Sequence, residues 1–172
     1  MRIALFGGTF NPVHNGHLLI AEAARASHKL DRIVFVPAGL PPHKKAPSTS
    51  ARHRLAMLRL AIRGNPHFRI TDWEIRQKRV VYTYETLDRF RRVWPDAKLF
   101  FLVGSDSMKK LPQWRQSRRL QTMCRFLPFP RLIPFASHDI RRRVRAGLSV
   151  RYLVPDAVER YIRTQKLYRR PE

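Results

Sequence analysis

A chain of 172 residues, of which 44% are hydrophobic, is expected to form one globular domain with a buried core, and this composition excludes intrinsic disorder. Its single cysteine, Cys124, excludes an intramolecular disulfide and a cysteine-rich zinc site. The net charge of +23 indicates polyanionic partners such as nucleotides, RNA, DNA or acidic membranes. A solvated arginine-rich surface would give the same charge, so no function follows from charge alone.

The chain has no candidate membrane segment. No apolar run approaches the roughly 20 residues that a membrane span requires. Glycines interrupt the apolar start of the chain, so that start is not a signal peptide. We therefore expect a cytoplasmic protein that does not act in a membrane.

The first half of the chain alternates continuous apolar runs with amphipathic helical patterns. We predict strands over 2–6, 31–37 and 67–75, and helices over 18–29 and 50–63. The second helix is expected to turn Leu55, Leu58 and Ile62 toward the core. Before it, the proline-rich and basic segment 38–50 is expected to form a mobile surface loop.

The second half continues this pattern as far as residue 104. We predict a helix over 83–94, which Thr83 can cap and Pro95 ends, and then an apolar strand over 98–104. Residues 123–135 compress a possible strand, three prolines and another strand into a short stretch. Two further helices are expected, from about Ser137 to Gly147 and from Pro155 to Leu167.

Apolar strands that alternate with helices favour a parallel sheet covered on both faces. We therefore predict an α/β fold: a Rossmann-like, doubly wound parallel sheet with helices on both faces and a C-terminal helical segment. In such sheets, ligands bind beyond the carboxyl ends of the strands, where the winding direction reverses. The strand ends at 6–8 and 103–106 are expected to face the same crevice.

The sequence GGTFNPVHNGH, residues 7–17, joins the first strand to the first helix. Gly7 and Gly8 let the backbone turn sharply and let an anion approach the amides, while the helix start adds unpaired N–H groups. His14 and His17, three residues apart, can both point at a bound phosphate and stabilise the charge that develops on its oxygens. Two alternatives stay open: a metal site, although no Cys, Asp or Glu lies close in sequence, and a tight turn with two surface histidines.

This motif resembles the T/HxGH signature of the nucleotidyltransferase superfamily, and the chain resembles, more narrowly, the nicotinate-nucleotide adenylyltransferase family over nearly its whole length. The motifs that carry the resemblance are GGTFNPVHNGH, PAGLPPHK (37–44), YTYETL (82–87), GSDS (104–107), LPQW (111–114) and YLVPDAVERYIRTQKLYR (152–169). The resemblance implies a single nucleotidyltransferase domain over 1–172. A nucleotide-binding core would occupy 1–124, and a short C-terminal part with a phosphate-contacting motif would occupy 125–172.

The resemblance implies an ATP site that grips the phosphates through backbone amides and side chains. The implied ATP-binding residues are Gly7, Gly8, Thr9, Phe10, His14, His17, His43, Asp106, Ser137 and Arg141. His14, His17 and Arg141 would act in catalysis together with Lys44, which lies on the proline-rich loop. Asp106 would lie near the nucleotide sugars and the metal-bound phosphates, and it or Ser105 could also cap the following helix.

A second site is implied for nicotinate mononucleotide. Trp114 would stack on the pyridine ring, and Thr83 and the backbone around Arg115 would donate hydrogen bonds to the carboxylate. Without the resemblance, a tryptophan at this position would more often be a core residue.

The chain departs from the family pattern in two places. In FASHDIR (135–141), Ser137 and Arg141 keep the phosphate-contacting pattern I-S-S-T-x-I-R, whereas Ala136 and His138 replace hydroxyl residues. His138 could still donate a hydrogen bond to phosphate. The segment between Cys124 and Ile133 is also shorter than the family usually has.

The implied reaction is adenylyl transfer from ATP to nicotinate mononucleotide, which gives deamido-NAD and pyrophosphate. Mg²⁺ would be the cofactor, bound mainly through the ATP phosphates. One alternative is the same chemistry on another phosphate acceptor, such as phosphopantetheine or nicotinamide mononucleotide. The other is a basic nucleic-acid-binding protein, and nucleic-acid affinity could also accompany the enzyme as a by-product of its charge. The sequence leaves the oligomeric state open.

Overall fold

The computed structural model describes residues 1–40, 47–130 and 134–169 of the chain. Two residues predicted to contact phosphate, His43 and Lys44, lie outside the described residues. Residues 131–133 also lie outside the described residues, and they belong to the stretch 123–135 in which another strand was expected.

Five parallel strands form one sheet in the order β3-β2-β1-β4-β5. Their bounds are β1 Arg2–Gly8, β2 Arg32–Pro37, β3 Phe68–Ile70, β4 Lys98–Gly104 and β5 Arg125–Phe129. The chain winds outward from β1 to β3 and then returns to place β4 on the other side of β1. This order confirms the predicted doubly wound parallel sheet and puts the reversal between β1 and β4, where such sheets bind ligands.

Helices cover both faces of the sheet. Their bounds are α1 Asn15–Ser27, α2 Ala51–Ile62, α3 Trp73–Arg76, α4 Thr83–Val93, α5 Ser105–Met108, α6 Ser117–Met123, α7 Ser137–Arg145 and α8 Asp156–Thr164. One core packs Ala4 and Phe6 of β1 against apolar residues of α1, α2, α7 and α8. The opposite core packs Ile3 and Leu5 against α4 and α6. Alternate residues of β1 therefore belong to different cores. None of the helices in the described ranges is long and apolar enough to cross a membrane.

Several predicted element boundaries were wrong. The strand expected over 67–75 ends at Ile70, because the Trp73 N–H turns back to the Thr71 hydroxyl (3.2 Å) and a short helix, α3, follows. Thr83 is the first residue of α4 rather than its cap, since Tyr82 occupies the cap position and its N–H donates to the Glu85 carboxylate. The helix expected to begin at residue 18 starts at Asn15, so that His14 precedes its first turn.

The orientation of α2 also differs from the prediction. Its fully buried side chains are Arg54, Met57 and Leu58, whereas Leu55 and Ile62 are half-buried. A hydrophobic pattern that treats arginine as polar does not predict this buried face, because Arg54 lies on it in the first turn of α2.

The short helix α3 is wedged between the loop after β2 and the helix α4. A Cβ atom on Gly39 would lie 2.6 Å from the Glu74 carbonyl oxygen, so only glycine fits against this backbone. The buried Thr86 hydroxyl donates a hydrogen bond of 2.6 Å to the Glu74 carboxyl group. Burial raises the pKa of Glu74 to about 7, although the hydrogen bond from Thr86 opposes the shift.

We expect the free energy of unfolding of Glu74→Gln to increase relative to that of the unaltered protein as the pH rises from 5 to 8. The folded state of the unaltered protein keeps a proton on Glu74 up to about pH 7, whereas the unfolded chain releases it near pH 4.5. The unaltered protein therefore loses stability over this range, and a glutamine, which does not titrate, loses none. Urea unfolding of both proteins at pH 5 and pH 8 measures the change.

The matched control is Glu22→Gln on α1. A hydrogen bond from Arg25 lowers the pKa of Glu22, so its titration lies below this pH range. The difference between this variant and the unaltered protein should stay nearly constant from pH 5 to pH 8. A Glu74→Gln difference that is equally constant would contradict the account.

Candidate active site

A cleft of about 520 Å³ opens beyond the carboxyl end of β1. Three segments line it: the loop after β1 with the start of α1, residues 47–48, and one side of α7 with the residue before it. The lining residues are Gly8, Thr9, Phe10, Asn11, His14, His17, Pro47, Ser48, Ala136, Ser137, His138, Arg141 and Arg145. The structure thus gathers most of the predicted ATP-binding residues from two motifs that lie more than a hundred residues apart.

Direct hydrogen bonds join these two motifs. The Ser137 hydroxyl donates to the Pro12 carbonyl oxygen at 2.9 Å, and Arg141 Nη1 donates to the Asn11 carbonyl oxygen at 2.6 Å. The first turn of α7 is therefore docked on the loop that follows β1. This contact brings the N-terminal ends of α1 and α7 to one cleft, where their unpaired N–H groups favour an anion.

The two histidines of the first motif form a close pair. The His14 backbone N–H donates to His17 Nδ1 at 3.2 Å, and the ring centroids are 3.7 Å apart. Because Nδ1 of His17 accepts this bond, a neutral His17 carries its proton on Nε2. His14 Nδ1 is buried and has no hydrogen-bond partner among the described residues.

Burial keeps both imidazoles neutral near pH 7. It lowers the pKa of His14 to about 4. Burial also lowers the pKa of His17 well below its ordinary value, and the neighbouring His14 adds to that effect. Among the described residues that line the cleft, Arg141 and Arg145 carry the positive charge, whereas the histidines offer hydrogen bonds.

Gly8 makes room for an aromatic ring that supports the histidines. A Cβ atom at this position would lie 2.9 Å from the ring of Phe10, which is buried and has a left-handed backbone conformation (φ 48°). The Phe10 ring packs edge-to-face on the imidazole of His17, with 5.0 Å between the centroids. The glycine lets Phe10 fold under the loop and hold His17 in place.

Gly7 has the same role on the opposite face of the sheet. A Cβ atom there would lie 3.1 Å from the ring of Phe101 in β4. Trp114 packs edge-on against Phe101 at 6.4 Å and against Phe126 at 6.3 Å between centroids. Both glycines were expected to serve the backbone and an approaching anion, but the nearest atoms to their missing side chains belong to aromatic rings.

The residues predicted to bind nicotinate mononucleotide lie on the Trp114 side of the sheet. Trp114 is half-buried and is followed by Arg115, whose guanidinium carbon lies 4.8 Å from the centroid of the Tyr82 ring. Thr83 follows Tyr82 as the first residue of α4. This cation–π contact joins the start of α4 to the segment that carries Trp114.

Asp106 is placed differently from the other predicted ATP-binding residues. It lies exposed in α5, directly after the carboxyl end of β4, and it does not line the 520 Å³ cleft. Its neighbour Ser105 donates through its hydroxyl to the Phe129 carbonyl oxygen at 2.9 Å. Gly104 occupies the cap position of α5, so neither expected side chain caps that helix.

Sequence reasoning missed the residues that support the cleft from behind. The Tyr168 hydroxyl donates to Asn11 Oδ1 at 2.7 Å, and Asn11 Nδ2 donates to the Ser48 hydroxyl at 3.2 Å. Arg54 Nη1 donates to the Thr9 carbonyl oxygen at 2.9 Å. Both residues are visible in the sequence as candidates: Tyr168 lies within the last of the quoted motifs, and Arg54 interrupts the apolar face of α2.

Comparisons with known proteins agree with this site. The cytidylyltransferase-like family profile matches residues 5–167. A probable nicotinate-nucleotide adenylyltransferase of Thermomicrobium roseum is 42% identical over 199 aligned residues, which cover 99% of this chain and 93% of that protein. The chain belongs to the nicotinate-nucleotide adenylyltransferase family. The alignment is longer than the chain, so the relative has residues that this member of the family lacks.

Solved structures share the fold of this family member. A candidate nicotinate-nucleotide adenylyltransferase of Vibrio parahaemolyticus superposes with a TM-score of 0.84 at 23% identity, covering 99% of this chain and 98% of that one. The nicotinic acid mononucleotide adenylyltransferase of Plasmodium falciparum, complexed with NaAD, gives 0.79 at 17% identity and covers 97% of each chain. The division of the chain at residue 124 stays a prediction, and β5, which follows that point, belongs to the same sheet.

We expect Gly8→Ala and Gly7→Ala to disturb opposite faces of the sheet. The new methyl group at residue 8 meets the packed Phe10 ring and should shift the ring signals of His17 in an NMR spectrum. The methyl group at residue 7 meets Phe101 and should shift the indole N–H signal of Trp114. Overpacking of this kind destabilises a protein by about 1–3 kcal/mol, and the closer contact at Gly8 should give the larger loss.

Chemical unfolding and the two NMR signals together test this assignment. Each variant serves as the control for the other, because both add one methyl group to the same strand end. If both variants moved the His17 and Trp114 signals to the same extent, the separation into two faces would be wrong.

Proposed function

We propose that the protein transfers the adenylyl group of ATP to nicotinate mononucleotide, which yields deamido-NAD and pyrophosphate for NAD biosynthesis. The observation that carries the proposal is the convergence of a neutral histidine pair, two helix N-termini and Arg141 on one cleft. Membership of the nicotinate-nucleotide adenylyltransferase family supports it. The NaAD held by the Plasmodium falciparum protein has the chemistry of the proposed product.

In the proposed reaction, an oxygen of the acceptor's 5′-phosphate forms a bond to the α-phosphorus of ATP. The bond from that phosphorus to the bridging oxygen of the β-phosphate breaks, and pyrophosphate leaves with the electron pair. No covalent intermediate with the protein is required, so the protein acts by positioning and by stabilising charge.

The residues of the cleft divide this work between hydrogen bonds and charge. Nε2–H of His17 and the imidazole of His14, which both line the cleft, are proposed to contact the oxygens of the α-phosphate. Since both imidazoles are neutral, they act as oriented dipoles that need no proton exchange. Arg141 and Arg145 are proposed to neutralise the departing pyrophosphate, as is Lys44, which lies outside the described residues.

Mg²⁺ is proposed to be bound mainly by the phosphates of ATP and by water. Within the described ranges, no group of three or more histidine, cysteine or acidic side chains is close enough to hold a metal ion, and the site therefore fits an ion that the nucleotide carries. Asp106, exposed at the carboxyl edge of the sheet and outside the lining of the 520 Å³ cleft, is proposed to offer one carboxylate to it. When bound, the ion neutralises part of the triphosphate charge.

Nicotinate mononucleotide is proposed to bind on the Trp114 side of the sheet. The pyridine ring would stack on the half-buried Trp114, and the carboxylate would accept hydrogen bonds from Thr83 and from the backbone around Arg115. The Arg115 guanidinium, held on Tyr82, adds positive charge beside that carboxylate. The neutral amide of nicotinamide mononucleotide would lose this attraction. The cytoplasmic location and an affinity for nucleic acid stay predictions.

Pyrophosphate release with ATP and Mg²⁺ tests the proposal, with nicotinate mononucleotide, nicotinamide mononucleotide and phosphopantetheine compared as acceptors. We expect release that depends on nicotinate mononucleotide. Release with phosphopantetheine instead would keep the chemistry of the cleft and refute the assigned acceptor. Binding of RNA without release from any acceptor would favour the nucleic-acid-binding alternative.

We expect His17→Ala to lower kcat by about 100-fold or more, because one oriented donor to the transition-state charge is lost. His28→Ala, at the other end of α1, is the matched control and should leave kcat unchanged. Steady-state kinetics of both variants, with circular dichroism to verify folding, make the comparison. An unchanged kcat in His17→Ala would contradict the assigned role.

We expect Trp114→Ala to raise KM for nicotinate mononucleotide by about tenfold, which corresponds to the loss of one stacking contact. KM for ATP should change little, because Trp114 and the ATP cleft lie on opposite sides of the sheet. Trp94→Ala, which removes a tryptophan stacked on Phe90 at the far end of α4, controls for a general loss of packing. Equal changes in KM for both substrates would refute the stacking role.

A further inference from the structure

Arg54 is an arginine of α2 that is only 1% exposed. Its guanidinium donates to three backbone carbonyl oxygens: Thr9 at 2.9 Å, Ala38 at 2.8 Å and Gly39 at 3.3 Å. Among the residues that the structure describes, no carboxylate forms an ion pair with it, and its Nε has no hydrogen-bond partner. A buried cation without a carboxylate is costly, and burial lowers its pKa, yet a guanidinium keeps its proton.

The three carbonyl oxygens belong to the loops that follow the adjacent strands β1 and β2. Thr9 lies in the loop that lines the cleft, whereas Ala38 and Gly39 lead toward residues 41–46, where His43 and Lys44 were predicted to act. One planar side chain thus spans both loops. A lysine at this position could not do so, because its single ammonium group lacks the fork of donors.

The bond to Thr9 fixes the direction of a neighbouring N–H group. In a trans peptide the C=O and the following N–H point in opposite directions. Because Arg54 draws the Thr9 carbonyl oxygen toward α2, the N–H of Phe10 points away from α2. Thr9 and Phe10 both line the cleft. No described residue accepts a hydrogen bond from this N–H.

We propose that Arg54 is a positioning residue for the phosphates of ATP: it turns the Phe10 N–H toward the cleft and places a buried positive charge behind that peptide group. The inference rests on the proposed function in taking ATP as the ligand. It adds a residue that touches no substrate and acts through the loop. The charge is poorly screened because water does not reach it, so it attracts phosphate more strongly than an exposed arginine on the same helix.

The test is the dissociation constant for ATP with Mg²⁺, measured by calorimetry without an acceptor. We expect Arg54→Met to weaken ATP binding at least tenfold. Arg54→Lys keeps the charge but not the fork, and it should give an intermediate loss. The matched controls are Met57→Ala, which opens the same buried face of α2, and Arg59→Met, which removes an exposed charge from the same helix.

Met57→Ala should reduce thermal stability while changing ATP binding less than about twofold, and Arg59→Met should likewise change binding little. If Met57→Ala and Arg54→Met weakened ATP binding equally, Arg54 would be a structural residue and the inference would be overturned. An unchanged dissociation constant in Arg54→Met would overturn it as well.

A measurement on the unaltered protein keeps the inference falsifiable if Arg54→Met does not fold. The amide resonance of Phe10 should shift when ATP and Mg²⁺ are added, and an unmoved resonance would refute the proposed direction of this N–H. Turnover by the unaltered protein with nicotinate mononucleotide tests the proposed function separately. Absence of turnover, together with ATP binding that depends on Arg54, would refute the function and leave the positioning role standing.

Discussion

Close packing against the two glycines at the end of β1 is the constraint on which the rest of the site depends. Since successive residues of a strand face opposite sides, the space left by Gly8 is filled by Phe10 on one face and the space left by Gly7 by Phe101 on the other. Phe10 supports His17, and Phe101 supports Trp114. Gly8 therefore belongs to the face of the sheet with the proposed phosphate site, and its neighbour Gly7 belongs to the face with the proposed acceptor site.

The cleft is completed by the far end of the chain. Backbone and side-chain donors of Asn15, at the start of α1, bond to the carbonyl oxygens of Leu153 and Tyr152, and α7 docks on the loop after β1 through Ser137 and Arg141. These bonds hold the helix N-termini at the cleft. Burial keeps the two histidines neutral in a chain of net charge +23. We propose that the arginines supply charge at the rim of the cleft and that the imidazoles supply hydrogen bonds.

The sequence was informative where local pattern decides the structure and uninformative where tertiary packing does. Three of the four strands whose bounds were predicted begin and end within about two residues of those bounds, because continuous apolar runs between turns have few other solutions. The strand that ends at Ile70 was overextended, since Trp73 and Ile75 fit an apolar alternation although Thr71 turns the chain. The roles of Gly7 and Gly8 could not be derived, because the rings that meet them are set by the fold. Arg54 was missed because a helical pattern treats every arginine as solvated.

The most direct test of this account is a crystal structure with nicotinate mononucleotide and a non-hydrolysable ATP analogue bound together. The account predicts that the triphosphate lies between the His14–His17 pair and Arg141, with the pyridine ring against Trp114 on the opposite side of β1. The α-phosphorus should then lie between the two ligands, facing the 5′-phosphate of the acceptor. A pyridine ring bound in the histidine cleft, or a triphosphate bound away from α1 and α7, would contradict the account.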